Sequence, residues 1–354
     1  MGVSKMMIAK VKAIDTEKLN KLASEIGQRN NKSKTYVKID MIYNFLRYGI
    51  GYTDYLKGDY INLTAKQKKT FLTTKSYYRL LKYLNKEQYI SCMSDKLVFN
   101  KIFKDFLKRE FIDLRTTSLE EFKAFLKGKK HVFAKPPVNF GGHGIEKIKV
   151  KDIEDVEKLY KSLKKKKLNL IEEEIVQHKE LNKLNPYAVN SFRIVTLVKD
   201  GKAHILANAM RINLDDAIAI GCTDAYMRLG EDGKITSRVV DDIANVYEEH
   251  PIAKIKFDTV KVPFVKEAYD MALEAALVVP EVRYVGWDIA ITDNGPVIME
   301  GNEYPSYGLV QYYLFNDEHE GHLAAIEKIL GDEMKNIKLW KKRDLKKIHL
   351  FKEH

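Results

Sequence analysis

Tyr284-Val-Gly-Trp-Asp-Ile-Ala-Ile-Thr-Asp-Asn-Gly-Pro-Val-Ile-Met-Glu-Gly-Asn302 decides how this chain is read. Two apolar runs flank Thr292-Asp-Asn-Gly-Pro296, and Gly295 stands where a type I turn with a bulge needs a left-handed residue. The stretch therefore reads as a β-hairpin with a three-residue loop. That register sets 292 against 296 and Asp288 against Glu300, with Asn302 two residues along on the same face. Carboxylates placed directly opposite one another repel unless a cation lies between them. With an amide oxygen beside them they suit a hard cation whose coordination is completed by water and phosphate. Asp288, Glu300 and Asn302 are accordingly the candidate metal ligands, and apolar residues at 285, 289, 291 and 297–299 place the hairpin in a core.

The same turn logic applies to Val198-Lys-Asp-Gly-Lys202. If Gly201 is the bulge residue, 198 pairs with 202 and 193 with 207, so Arg193 and Arg211 share a face; a two-residue turn would put them on opposite faces. Two arginines on a face otherwise made of Val195 and Ala207 need an anion, against the plainer reading of one exposed Arg and one structural ion pair. Upstream, Phe133-Ala-Lys135-Pro136 leads into a loop ending Phe140-Gly-Gly-His-Gly144. Glycines let backbone amides wrap phosphate oxygens, and a lysine at the strand end adds a point charge. No GK[ST] follows, so this is not a P-loop, and no helix opens after it, so it is not a dinucleotide fingerprint. Leu170-Ile-Glu-Glu-Glu-Ile175 reads either as a strand running out to the surface or as one whose backbone bonds a purine while a nearby carboxylate takes ribose hydroxyls.

Around these motifs the chain falls into parts. Leu19, Leu22 and Ile26, then Ile39, Ile42, Phe45 and Leu46, repeat at helical spacing, and further helices are expected around 66–72 and 75–84. The first ninety or so residues read as a helical, tyrosine-rich unit without strands. A longer helix is expected from Lys96, with Leu97, Ile102, Phe103, Phe106 and Leu107 on one face, and Ser118-Leu-Glu-Glu121 is a capping box. Strands follow at 131–135, 145–150 and 168–175, with a helix capped by Asp152 running to about 166. Two hairpins, 189–212 and 282–302, then flank a helix at 263–278. The segment 335–351, with Ile337, Trp340, Ile348 and Phe351 amid cations, reads as a helix packed on its own domain, with a surface-lying amphipathic helix as the alternative.

Composition bounds the rest. With 354 residues, 45% apolar and 31% charged, the chain is neither a disordered tail nor a disulfide-stapled miniprotein. Cys92 and Cys222 form no CxxC pair, which argues against a structural zinc or disulfide framework and for a reducing cytoplasm. No apolar run reaches the roughly 18 residues of a membrane span, and the start is too polar for a secretory signal. Lys and Arg number 61 against 49 acidic residues, net +12. Residues 1–130 carry 28 basic and 13 acidic groups, whereas 131–312 carry 24 and 28, so the basicity is N-terminal. It is mostly Lys, with 11 Arg, and Arg is the side chain that reads nucleic-acid edges, so no nucleic-acid partner is expected.

Taken together, Ser94-Asp-Lys96, Phe133-Ala-Lys135-Pro, Gly141-Gly-His-Gly144, Leu170-Ile-Glu-Glu-Glu-Ile, Asn190-Ser-Phe-Arg193-Ile-Val-Thr, Arg211, Gly286-Trp-Asp288 and Glu300-Gly-Asn302-Glu-Tyr-Pro-Ser-Tyr-Gly308 resemble the ATP-grasp superfamily, and within it the sugar-transfer-associated branch. The likeness spans about 90–330, and the helical segment before it is similar to that branch's extension. It implies an α+β ATP-grasp fold, two lobes sandwiching ATP, with bounds at 96–175 and 176–330, after a basic helical region 1–95 and before a basic segment 331–354. It further implies that Lys96 and Lys135 contact phosphates, that Gly141, Gly142 and Gly144 close over them, and that backbone around Glu173 and Ile175 holds adenine, with Glu180 on the ribose. Asp288, Glu300 and Asn302 would hold two Mg²⁺, with Mn²⁺ as a substitute, and Arg193 and Arg211 would stabilise the transferring phosphoryl group and an acyl phosphate. Tyr304, Ser306, Tyr307 and Gly308 would line the acceptor pocket. Segment 215–224 departs from the branch's usual Asn and Gly-Gly.

The activity so implied is carboxylate–amine ligation with ATP, on a small-molecule or glycan-linked acid in capsule or surface-glycan synthesis. The protein would be cytoplasmic, with peripheral contact to a membrane or anionic glycan through its N-terminal region. Two other readings use the same residues: a small-molecule phosphotransferase, and a non-catalytic nucleotide-binding module that docks glycan enzymes.

Overall fold

The computed structural model describes residues 16–138, 144–215, 224–315, 319–337 and 339. They divide into two compact units. The first holds 16–83, 311–313 and the described residues from 319 onward. As expected from the apolar spacing it is helical, with Thr16–Asn30, Lys34–Tyr48 and Thr74–Leu84 the longest of its N-terminal helices and no strand among its described residues. Leu19, Leu22, Ala23 and Ile26 are buried on one helix, Val37 and Met41 on the next. Ser33 caps the second helix by accepting from the Tyr36 amide at 3.2 Å, and Gly49 ends it in a left-handed conformation. The returning C-terminal part is tied in by Gln311, which exchanges bonds with both the amide and the carbonyl of Leu72, and by Arg79 donating to the Leu339 carbonyl at 2.9 Å. Ile337 and Leu339 are buried; Trp340, Ile348 and Phe351 lie outside the described residues.

The second unit, 84–310 with 314 and 315, carries two antiparallel sheets. Strands β1 (Phe111–Asp113), β2 (His131–Lys135), β3 (Glu146–Lys149) and β4 (Leu170–Glu173) form the smaller, in the order β1-β4-β2-β3. Leu119–Leu126, opened by the expected Ser118/Glu121 capping box, and Val156–Lys165 supply its core with Phe122, Leu126 and Leu163. Strands β5 (Ser191–Lys199), β6 (Lys202–Asn213), β7 (Asp224–Met227), β8 (Val239–Asp241), β9 (Val246–Tyr247), β10 (Tyr284–Thr292) and β11 (Gly295–Asn302) form the larger, in the order β11-β10-β5-β6-β7-β8-β9. One face of that sheet, with Phe192, Ile194, Met210, Ile212, Trp287 and Ile289, shares a core with the helix Val265–Ala276. Ala268, Ala272, Ala275 and Ala276 on that helix are all buried, and small side chains let a helix lie close to a sheet. The other face is left to carry polar groups.

Several elements differ from the sequence reading. The helix from Lys96 is two pieces, Lys96–Ile102 and Lys104–Leu107, broken where Phe103 leaves helical geometry, and Ile102, expected on the buried face, is 37% exposed. Asp155, not Asp152, caps the helix Val156–Lys165, because Val150–Asp152 first closes a 3-10 turn. The strand expected over 168–175 is confined to Leu170–Glu173: the Leu168 amide still bonds the Leu163 carbonyl at the helix end, and the ladder stops at Glu173. Both hairpins turn one residue more tightly than expected, with Thr292 opposite Gly295 and Lys199 opposite Lys202. Each then recovers the expected face through a β-bulge, at Met299 between the 288/300 and 289/298 pairs, and at Leu206 between 195/207 and 196/205.

Candidate functional site

The two bulges build one polar face. Across β11, β10, β5 and β6 a single row reads Glu300, Asp288, Arg193, Ala209, and the next row reads Asn302, Gly286, Val195, Ala207. Arg211 faces Ser191, two residues from Arg193, so the arginines are diagonal neighbours on this face. The three side chains expected to share a face of one hairpin and the two expected to share a face of the other lie together on this face, although each turn closes one residue earlier than expected and Arg193 stands against Ala209 rather than Ala207.

Each arginine has taken a carboxylate. Arg193 grips Asp288 through Nε and through Nη2, the latter at 2.7 Å from Oδ2. Arg211 does the same to Asp224, with Nε 2.6 Å from Oδ2; the side chain of Asp224 is buried, and nothing in its surroundings on the sequence marked it as a partner. Glu300 stands directly opposite Asp288 in the row. Burial, and behind it the facing Asp288 carboxylate, raises its pKa above the ordinary carboxylate value, against the opposing pull of Lys96 and Arg193. Nδ2 of Asn302 lies 3.3 Å from Asp288 Oδ2 and 3.5 Å from Glu300 Oε1. The same amide turned by 180° presents Oδ1 in that place. Two opposed carboxylates and an amide thus fit a hard divalent cation with oxygen ligands. Among the described residues no group of three or more His, Cys, Asp or Glu is arranged for a metal, so phosphate and water oxygens would have to complete the shell.

Gly286 earns its place between Asn302 and Val195 by having no side chain. A Cβ there would stand 2.5 Å from Pro305 Cβ and 3.2 Å from Arg193 Cδ, so Pro305 and the arginine stem use that space. Tyr304 and Ser306 beside it are exposed, while Tyr307 and Gly308 open a short helix, Tyr307–Val310. Asn85 anchors the approach: its amide bonds both the N–H and the carbonyl of Tyr284 at 2.9 Å and the Glu303 carbonyl at 2.9 Å.

A backbone bond joins the segments that carry the two lysines. Asp95 caps the helix that Lys96 opens, and the Lys96 amide donates to the Pro137 carbonyl at 2.8 Å, two residues past Lys135. Lys135 pairs with Glu172, whose other oxygen receives Asn100 at 2.6 Å and Arg109 at 3.0 Å. Glu172 is buried, which alone would raise its pKa, yet Lys135 and Arg109 hold it at about 2. Glu172, Arg109 and Asn100 went unread in the sequence; a glutamate following Leu170 at strand period was the one available sign that Glu172 points inward.

Of the positions expected to meet adenine and ribose, the Glu173 amide is spent on the Glu110 carbonyl at 3.0 Å, while Ile175 lies half-buried just past the ladder. Glu180, in the first turn of Lys179–Leu184, accepts from Lys183 at 2.7 Å. Gly144 has φ +72°; Gly141, Gly142 and most of segment 215–224 lie outside the described residues.

Comparison with known proteins gives one family and several similar solved structures. The sugar-transfer-associated ATP-grasp family matches residues 75–319. Among solved structures, the ATP-grasp ligase PsnB with its minimal precursor is 14% identical with a TM-score of 0.38, over 63% of this chain and 56% of its own. D-alanine–D-alanine ligase from Bacillus anthracis is 14% identical with a TM-score of 0.38, over 70% of each chain. The L-amino acid ligase from Bacillus licheniformis is 11% identical with a TM-score of 0.41, over 69% of this chain and 49% of its own. The chain thus spans little more than half the length of PsnB. A search of the curated proteins finds no match.

Proposed function

This chain belongs to the sugar-transfer-associated ATP-grasp family, and from that premise we propose that it is an ATP- and Mg²⁺-dependent carboxylate–amine ligase. The observation that carries the reading is the row Glu300–Asp288–Arg193 with Asn302 beside it, two opposed carboxylates kept on one face by a bulge. Bound Mg²⁺ would offset the negative charge of the ATP phosphates and of these carboxylates. Asp288, Glu300 and Asn302 would hold two such ions, with Mn²⁺ as a substitute. Lys96 and Lys135 bring positive charge to phosphate oxygens, and glycines 141, 142 and 144 cover them. Adenine would lie against the backbone near Glu173 and Ile175, with Glu180 at the ribose.

The substrate carboxylate oxygen attacks the γ-phosphorus, the bond to the β-phosphate oxygen breaks, and ADP leaves. An amine then attacks the acyl carbon, loses its proton and expels inorganic phosphate, leaving an amide. Arg193 and Arg211 stabilise the charge on the transferring group, which requires each to be shared between its present carboxylate and the substrate. Tyr304, Ser306, Tyr307 and Gly308 line the acceptor. The lobe bounds 96–175 and 176–330 go with this assignment, as do the basic regions 1–95 and 331–354. Incubation with ATP, a panel of acids and hydroxylamine is expected to give a hydroxamate and ADP. A stable phosphoester without hydroxamate would replace the ligase by a phosphotransferase, and ATP binding without turnover would leave a binding module.

The acid is proposed to be a uronic or amino acid of surface-glycan synthesis, presented at an anionic glycan or membrane face. Supporting this, the helix Lys34–Tyr48 exposes Tyr36, Ile39 and Tyr43 along one side, 51%, 64% and 54% accessible. Lys32 lies over the Tyr36 ring, and the surrounding 1–130 segment carries the chain's excess of cations. No helix of the described residues is long and apolar enough to cross a membrane, so such contact would be peripheral. Neutralising lysines in 1–95 is expected to weaken capture of an acidic polymer and to leave ATP affinity unchanged; equal loss of both would remove this role.

A further inference from the structure

Arg109 occupies a position that the family reading does not use. Its guanidinium is almost wholly buried, at 4% side-chain exposure. Nη1 donates to the Ile298 carbonyl at 2.7 Å; Nη2 reaches the Met299 carbonyl at 3.3 Å and Glu172 Oε1 at 3.0 Å. Successive carbonyls of an extended strand point to opposite edges, so one guanidinium meeting two in a row requires a break in the strand. Met299 is that break, the extra residue of the β11 bulge. Since β11 is the end strand of its sheet, no neighbouring strand among the described residues covers that edge, and Arg109 bonds two of its carbonyls.

The bulge decides which side chain faces Asp288. Continued without it, the pairing of Ile289 with Ile298 would set Met299 against Asp288 and send Glu300 to the opposite face. Nη2, which reaches the Met299 carbonyl, also donates to Glu172, and Glu172 in turn holds Lys135. We infer that Arg109 is a positioning residue that locks the β11 bulge, keeping Glu300 against Asp288, and through Glu172 fixes Lys135 relative to that pair. The inference rests on reading Asp288 and Glu300 as metal ligands and Lys135 as a phosphate contact.

The test titrates ADP with Mn²⁺ into the full-length protein by calorimetry, alongside thermal melting. Arg109→Met is expected to weaken MnADP binding by about 10- to 100-fold, the range seen when partners behind metal ligands are removed. Arg109→Lys keeps the charge on Glu172 but cannot reach both carbonyls and the carboxylate together, so it should recover only part of the loss. Arg115→Ala is the matched control: it breaks an ion pair to Asp113 on β1 of the smaller sheet, remote from β11 in pairing, and should leave MnADP affinity unchanged. In the ligase assay the Mg²⁺ concentration for half-maximal rate should rise with Arg109→Met and not with Arg115→Ala. If Arg109→Met does not fold, Arg109→Lys decides the matter. Wild-type MnADP affinity in a folded Arg109 variant overturns the inference, whereas a wild-type protein that binds no MnADP overturns the reading of the site itself.

Discussion

Replacing Glu172 by Gln should cost stability in a way that depends on pH with a predictable sign. The carboxylate is buried and takes Lys135, Arg109 and Asn100 as donors, while glutamine keeps one acceptor oxygen and sets an NH₂ against the cations. A carboxyl lowered from 4.5 to about 2 contributes stability that is fully present above its ordinary value and is lost as pH falls through the folded value. A shift of this size is worth about 3 kcal/mol at pH 7, in the range of about 3–5 kcal/mol for breaking a buried pair by removing one partner. The gap between wild type and Glu172→Gln should therefore be about 3 kcal/mol at neutral pH, close to half that by pH 3, and small near pH 2. Urea unfolding followed by Trp287 fluorescence measures it, since Trp287 is fully buried in the core of the same unit; a Trp340→Phe background isolates the signal. A gap of equal size at pH 3 and pH 7 would refute the assignment of Glu172 as a charged, paired group.

Gly286→Ala forces a methyl into the space used by Pro305 and the Arg193 stem, so KM for the acid should rise by at least tenfold with KM for ATP little changed. Asn85→Ala leaves the Tyr284 amide and two carbonyls without their partner, and a loss of about 1–3 kcal/mol is expected in chemical denaturation. Gly321→Ala places a Cβ 2.4 Å from backbone atoms of Thr70 and Phe71, and the helical unit should lose about 1–3 kcal/mol, read as earlier proteolysis of that unit. Removing Mg²⁺ with EDTA should abolish both hydroxamate formation and the rise in melting temperature that MgADP gives the wild type.

Alternation along strands and the identity of turn residues are local properties: they put Asp288, Glu300 and Asn302 on one face of one hairpin and Arg193 and Arg211 on one face of the other, while the pairing of β10 with β5 makes these a single face. The route was only half right. Gly295 and Gly201 were recognised as turn glycines, yet both loops close one residue earlier, and bulges at Met299 and Leu206 restore the face. A bulge depends on what covers the strand edge, and for Met299 that is Arg109, 190 positions away in sequence. Helix breaks were illegible for the same kind of reason, since Phe103 leaves the helix where it stacks on Phe99 and meets Trp287 edge-on.

The sequence by itself determined the family, the facing of Asp288 by Glu300 and the location of the excess charge, because each is written in residue types at short spacing. Only the tertiary structure decided how those groups are paired: Arg193 with Asp288, Arg211 with Asp224, and Lys135 with Glu172 and Arg109. Buried charges must find opposite partners wherever the chain brings them, and the stretches that meet around Glu172 are separated by dozens of residues, beyond any local pattern.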